Sequence, residues 1–356
     1  LGVNFPVRIE GAIARCMKAL FTVPGPSGGT FEFREIATPT PGAGEVLVKV
    51  RASGTNRGEL LARPLIRSDN PALRPMRSGG EFAGEIASLG DGVVGWKIGD
   101  RVMGRAIGSY AEYTVANQRA LMRIPEGTAW AEAASIPNVF VTAHDRIVTN
   151  ARTRRDESVM ITAGSSGVGT AAIQIARHLG ANPVIATSRS PSKSVALRKL
   201  GANEVVDPGE PGWVDAVIAS TAKHGVDVII DNVGGPMLAD NIRVLAIKGR
   251  LVSVGRNAGQ VGECNLDEVA RKRVSIIGVT FRTRSLEESM VCGERFAADL
   301  LDAFNSGALK PVLDRSFPFE RIDDAHAYML SDAQIGKIVV TMDSEKDRNP
   351  ATAPSR

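Results

Sequence analysis

From position 164 to 169 the chain reads G-S-S-G-V-G, a run with no side chain larger than valine. The chemistry open to it is anion binding by backbone. Gly164 is placed to turn the chain tightly, while Gly167 and Gly169 let backbone approach a pyrophosphate and let a helix pack on a strand. The free amides of the helix start then point at the anion, with Ser165, Ser166 and Val168 completing the cradle. Ser166 stands where the middle glycine of a G-x-G-x-x-G spacing would fall, so the turn alone is a weak signal. A second cluster strengthens it. S-R-S-P-S-K at 188–193 ends an apolar run where a cofactor with a free ribose 2′-hydroxyl would call for an acid. Ser188, Arg189 and Lys193 offer a hydroxyl, a guanidinium and an ammonium instead, a set suited to a 2′-phosphate. The two clusters together favour NADPH over NADH. The bland alternatives are a glycine turn that only joins strand to helix, and basic residues that only solvate a loop.

These residues need a scaffold, and the hydrophobic pattern supplies one. V-M-I-T at 159–162 suits a buried parallel strand, and V-I-A-T at 184–187 a second. Between them Val168, Ala172, Ile175 and Leu179 fall on one face of a helix, which Gly180 can end in a left-handed cap. Further on, 226–231 reads as a buried strand, 237–246 as a helix, 250–254 and 275–281 as strands, and 286–305 as a long helix. The alternation predicts an α/β fold with a doubly wound parallel sheet. Residues 17 to about 135 are different: short strands punctuated by glycine and proline, including V-L-V-K-V at 46–50, predict a β-rich, barrel-like module.

The composition fits two soluble domains. Of 356 residues 43% are hydrophobic, and 43 lysines and arginines face 39 acids without a basic block, which argues against nucleic-acid binding and against an anionic membrane surface. No run is long enough to span a bilayer. Cys16, Cys264 and Cys292 are far apart and odd in number, which disfavours a disulfide framework or a zinc cluster and makes a reducing cytoplasm the expected location. The first residues lack the pattern of a secretory signal, and 1–16 read as an extension upstream of a natural start at Met17. The stretch 343–356, charged and rich in proline and serine, reads as a flexible tail.

Several stretches now carry a resemblance that runs from Met17 to Met342. They include A-S-G-T-N-R-G-E-L-L at 52–61, I-G-D-R-V-M at 98–103, G-S-Y-A-E-Y at 108–113, D-N-V-G-G at 231–235, G-R-L-V-S-V-G at 249–255, G-V-T-F-R-T-R-S at 278–285 and G-K-I-V-V at 336–340. The chain resembles the medium-chain dehydrogenase/reductases, in their zinc-independent NADPH quinone oxidoreductase (zeta-crystallin-like) branch. The resemblance implies a GroES-like catalytic domain from 17–138 and 282–342, with a Rossmann NADPH domain at 139–281 between its halves. It also implies roles. Asn56 would lie beside the nicotinamide ribose or the acceptor, and Thr142 would face the nicotinamide. Asn232, Val254, Gly255, Phe281 and Arg282 would line the cofactor, and Leu61 and Tyr110 the substrate pocket.

Zinc is argued against by its ligands. The alcohol-dehydrogenase branch carries a Cys near 56 and a His-Glu pair near 81, where this chain has Thr55-Asn56-Arg57 and Gly80-Glu81-Phe82, and the lobe at 90–110 has no cysteine. His144, His178, His224 and His326 are scattered and read as surface or helix residues. What remains is hydride donation to an acceptor that is already electrophilic, a quinone or an enone. An enone or enoyl-thioester reductase, and a non-catalytic NADPH-binding crystallin-like protein, are the alternatives. Leu61 replaces a tyrosine common in the branch and implies a wider, drier pocket, while the arginine-rich loop at 63–78 departs from the usual pattern. The apolar strand at 275–281 would leave an open sheet edge, which predicts a homodimer paired there.

Overall fold

A computed structural model describes residues 16–66 and 74–342, together with the backbone of 8–9 and 12–13. The chain divides into two compact units. One comprises the residues up to Asn138, Arg315–Ala333 and those from Ile338 on; the other comprises Val139–Asp314 and Gln334–Lys337.

The first unit is built around strand Glu45–Gly54. Val46, Val48 and Val50 alternate into a core with Phe82, Ile86, Val102 and Leu121, while Lys49 points outward, as a period of two requires. This strand pairs antiparallel with Phe82–Leu89, Tyr113–Asn117 and Lys337–Thr341. Among the described residues the sheet runs on from Phe82–Leu89 through Arg101–Gly104 to Leu121–Arg123, and from Lys337–Thr341 to Leu313–Pro318. Cys16–Val23 pairs separately with Thr30–Ala37. The β-rich reading of this half is what the structure shows.

In the second unit, six parallel strands follow the order Glu204–Val206, Val184–Thr187, Val159–Ile161, Val226–Asp231, Leu245–Ser253 and Ser275–Gly278 among the described residues. Numbered by chain position this is 3-2-1-4-5-6, the doubly wound order, and the direction of winding reverses between Val159–Ile161 and Val226–Asp231. Valine and isoleucine dominate the central strands because helices cover both faces. Helix Gly167–His178 is less amphipathic than its periodicity suggests: Gly169 through Ala176 are all buried, whereas Val168 and Leu179 are only half-buried. A loop closes over its second face, where the Gln174 side chain donates to the Lys310 carbonyl at 3.0 Å and accepts from the Lys310 amide at 3.0 Å.

Helix Leu286–Asn305 starts with a capping box between Ser285 and Glu288 and buries Phe296, Leu300 and Phe304. Phe304 meets Phe140 edge-on at 4.8 Å. The helix therefore belongs to the second unit, which continues to Asp314, whereas the sequence reading ended that domain at 281. The reason is its apolar face, which matches aromatic partners at the start of the same unit.

Candidate functional site

The winding reversal in the second unit falls between Val159–Ile161 and Val226–Asp231, and sheets of this order hold ligands in the crevice at the carboxyl ends of those strands. The glycine turn lies there. Ser166 caps helix Gly167–His178 by accepting from the Gly169 amide at 3.0 Å, and its own hydroxyl donates to the Ala163 carbonyl at 2.8 Å. Ser166 bridges Gly336 in parallel register, which turns the Gly167 amide toward the Gly336 carbonyl, while the amide of Val168 has no backbone acceptor among the described residues. The tight turn falls on Ala163, at φ 49°, and not on Gly164 as the sequence suggested. Gly164 is needed for contact instead, since a Cβ there would stand 2.9 Å from the Ala186 methyl. At Gly169 a Cβ would meet the Ala163 carbonyl oxygen at 2.4 Å, so helix and strand approach as only glycine allows. Ser165 accepts from the Gly336 amide at 2.9 Å, which pins the turn from outside.

Across the crevice Asp231 organises the facing loop. Its carboxyl accepts from Thr162 Oγ1 at 2.8 Å and from the amides of Val233 and Gly234, while its carbonyl accepts from the amides of Val254 and Gly255. Burial raises the pKa of this carboxyl despite those donors. Asn232 is buried and donates to the Thr162 carbonyl at 2.9 Å, so its side chain holds the two strand ends together. A Cβ on Gly255 would meet the Asn232 carbonyl at 2.0 Å. Ser188 is buried at the end of Val184–Thr187 with Arg189 exposed beside it, and Lys193 donates to the Gln334 carbonyl at 2.9 Å. Phe281 is half-buried under the Arg284 guanidinium at 4.7 Å, and Arg282 is exposed. Both follow the end of the last strand, which stops at Gly278 where 281 was expected. Thr142 is 6% exposed on helix Pro137–His144.

The first unit holds a polar cluster around Asn56. This residue is the N-cap of helix Arg57–Ala62, yet its side chain makes no capping bond. Asn56 Nδ2 donates to Glu81 Oε1 at 3.0 Å and to Glu59 Oε1 at 3.2 Å, and Asn56 Oδ1 accepts from Asn138 Nδ2 at 2.6 Å. Glu59 Oε2 accepts from the Tyr110 hydroxyl at 2.5 Å and lies 3.8 Å from His326 Nε2. Burial, then the Glu59 charge, raises the Tyr110 phenol well above its usual range. Burial, with Arg63 adding to it, pushes His326 down to about 4. Tyr110 is thus core, 1% exposed with its hydroxyl turned to Glu59, and does not line an open pocket. The Leu61 backbone falls in helix Arg57–Ala62, but its side chain lies outside the described residues. Arg63 and Arg77 are tied to the framework, the first over the Phe31 ring at 4.2 Å and the second to the carbonyls of Gly108 and Tyr113.

Glu59, Glu81, Asn138 and His326 were not singled out from the sequence as site residues. The one local signal was Glu59, three residues after Asn56 at the start of a helix. His144 and His326 are helix residues, both buried, and the described residues contain no cluster of three or more His, Cys, Asp or Glu arranged to hold a metal.

A glycine turn at the reversal of a 3-2-1-4-5-6 sheet, joined in one chain to a β-rich unit, defines a dinucleotide-binding oxidoreductase fold. Comparison with known proteins agrees. The alcohol dehydrogenase GroES-like domain model matches residues 42–126, and the zinc-binding dehydrogenase model matches 167–294. The quinone oxidoreductase of Rattus norvegicus is 33% identical over 311 residues, covering 86% of this chain and 92% of that protein. Among solved structures, mycobacterial Rv1454c complexed with NADPH superposes with a TM-score of 0.80 at 26% identity, over 91% of this chain and 99% of that one. The CurK enoyl reductase does so at 0.79 and 27%, over 92% and 99%. The chain belongs to the medium-chain dehydrogenase/reductase family, in its quinone oxidoreductase group.

Proposed function

We propose that the protein binds NADPH in the crevice of its second unit and reduces a quinone-type acceptor. The observation that carries this reading is the turn itself: a helix start capped by Ser166, with the Val168 amide unpaired among the described residues, at the reversal point of the sheet, close to Ser188 and Arg189. In this reading the helix start at Gly167 and Val168, with the Val168 amide facing the anion, holds the pyrophosphate, and Ser188, Arg189 and Lys193 hold the 2′-phosphate. Val254, Gly255, Phe281, Arg282 and Thr142 line the nicotinamide, and Asn232 fixes the loop beneath it. In the first unit, Asn56 is the residue assigned to the reduction. When bound, NADPH supplies the hydride. A quinone needs little activation, so the protein's task is to orient the partners and keep water away. The positions where alcohol dehydrogenases place a cysteine and a histidine hold Asn56 and Gly80, and with no soft ligand at either this donor set favours a mechanism without zinc.

A second reading, reduction of an enone or enoyl thioester, is supported by the likeness to the CurK enoyl reductase. Steady-state NADPH oxidation with a panel of quinones, enals and enoyl thioesters separates the two. Quinones should give the highest kcat/KM, and a preference for enoyl thioesters would replace the first reading with the second. We further propose a homodimer through the edge strand Ser275–Gly278 and a cytoplasmic location. Cys16, Cys264 and Cys292 form no disulfide among the described residues, which suits a reducing compartment.

A further inference from the structure

We propose that Glu81 is a positioning residue of the reductase, locking the Asn56 amide in one orientation between two carboxylates and the start of helix Pro137–His144. The inference rests on the reading of Asn56 as part of the reductase site. Glu81 is fully buried, and each of its carboxylate oxygens takes a different donor: Oε1 accepts from Asn56 Nδ2 at 3.0 Å and Oε2 from the Asn138 backbone amide at 2.8 Å. Its own carbonyl accepts from the Ser53 hydroxyl at 2.5 Å, which fixes the backbone behind it. A neutral amide at 81 would have the same shape but only one accepting oxygen, so its NH2 group would be forced against one of the two donors. The position needs acceptance on both sides.

Asn56 inherits its direction from that requirement. Its second N–H meets Glu59 Oε1 at 3.2 Å, and Glu59 is itself held by the Tyr110 hydroxyl. With both hydrogens turned to carboxylates, Asn56 Oδ1 faces Asn138 Nδ2, 2.6 Å away. The polarity of the partners thus sets which end of the amide is which, a choice that electron density rarely makes. Gly54 makes the arrangement possible, because a Cβ there would stand 2.4 Å from Glu81 Oε1 and 2.7 Å from the Ala134 carbonyl. The functional consequence is specific: Asn56 presents an accepting oxygen and does not donate to the oxygen on which negative charge develops during reduction.

The test inverts the polarity of the cluster. Glu81→Gln alone mismatches one donor pair. In the triple variant Asn56→Asp/Glu59→Gln/Glu81→Gln every bond can re-form with donor and acceptor exchanged: the two introduced amides donate to the introduced carboxylate and accept from Tyr110 and from the Asn138 backbone amide, while Asn138 Nδ2 still donates to position 56. Glu81→Gln is expected to lower kcat for NADPH-dependent naphthoquinone reduction about tenfold with little change in quinone KM, and to lower the melting temperature. The triple variant should recover most of both. A single variant with wild-type kcat, or a triple variant no better than the single in kcat and melting temperature, overturns the proposal. Should the wild-type protein reduce no acceptor at all, it is the reductase reading that fails. Recovery of melting temperature in the triple variant then still supports the lock, and its absence overturns it.

Discussion

Arg189 is exposed at the end of strand Val184–Thr187, next to the buried Ser188. Arg189→Ala should weaken NADPH binding by about 1–3 kcal/mol, the worth of a charged hydrogen bond, and leave NADH nearly unchanged. Fluorescence titration with both cofactors checks it; equal losses would mean that the guanidinium does not read the 2′-phosphate. His326 gives a pH prediction. Its ring is buried between Phe31 and Tyr110, and its folded pKa is about 4 against 6.5 for the free side chain. Between those values the unfolded chain binds more protons, so stability is complete above pH 6.5 and falls as the pH drops toward 4. The loss approaches roughly 3 kcal/mol, and His326→Leu should flatten this acid limb in urea titrations taken across the window. The candidate cofactor residues could be proposed from the sequence because they are local, a glycine turn and a basic cluster each within a few positions. The Asn56 cluster was not, because Glu81, Asn138 and His326 reach it only through sheet pairing, and buried hydrogen bonds between distant side chains leave no period in a sequence.

At the scale of elements, the contact between helix Gly167–His178 and the turn before it decides whether the cradle exists. Gly169→Ala would drive a methyl against the carbonyls of Ala163 and Gly164, at 2.4 and 2.6 Å, and the neighbours are backbone that cannot swing aside. A destabilisation of about 1–3 kcal/mol is expected, with a loss of NADPH affinity larger than that of Arg189→Ala. Thermal melting and the same titration measure the two effects; a Gly169→Ala protein with wild-type affinity would show that the helix need not approach so closely. Strand and helix types were readable here from β-branched runs and the helical spacing of Val168, Ala172, Ile175 and Leu179. The second covered face of Gly167–His178 was not, since its cover arrives from Lys310, and neither was the Ala163 turn, because a non-glycine residue at positive φ has no compositional mark.

For the whole molecule, assembly is the open prediction. Ser275–Gly278 pairs on one side only among the described residues, and Ile276 is 50% exposed on it. Light scattering at micromolar concentration should give a dimer, and Ile276→Lys should shift it to monomer without abolishing NADPH binding; a monomeric wild-type protein would refute the pairing. The two-unit plan was readable from the change of pattern near Trp130. The allegiance of Leu286–Asn305 was not, because an amphipathic helix does not announce which unit its apolar face will meet. The first unit also carries a consequence in time. Strand Lys337–Thr341 lies between Glu45–Gly54 and Leu313–Pro318, and Ile338 accepts the Thr55 hydroxyl from a residue made 283 positions earlier. At roughly 5–20 residues per second, a ribosome leaves the 52–54 end of Glu45–Gly54 without that partner for about fifteen seconds to a minute. During that interval three residues of the nascent sheet lack a partner on one side, so the yield of folded protein in a cell should depend on chaperones that occupy that gap until Lys337–Thr341 emerges.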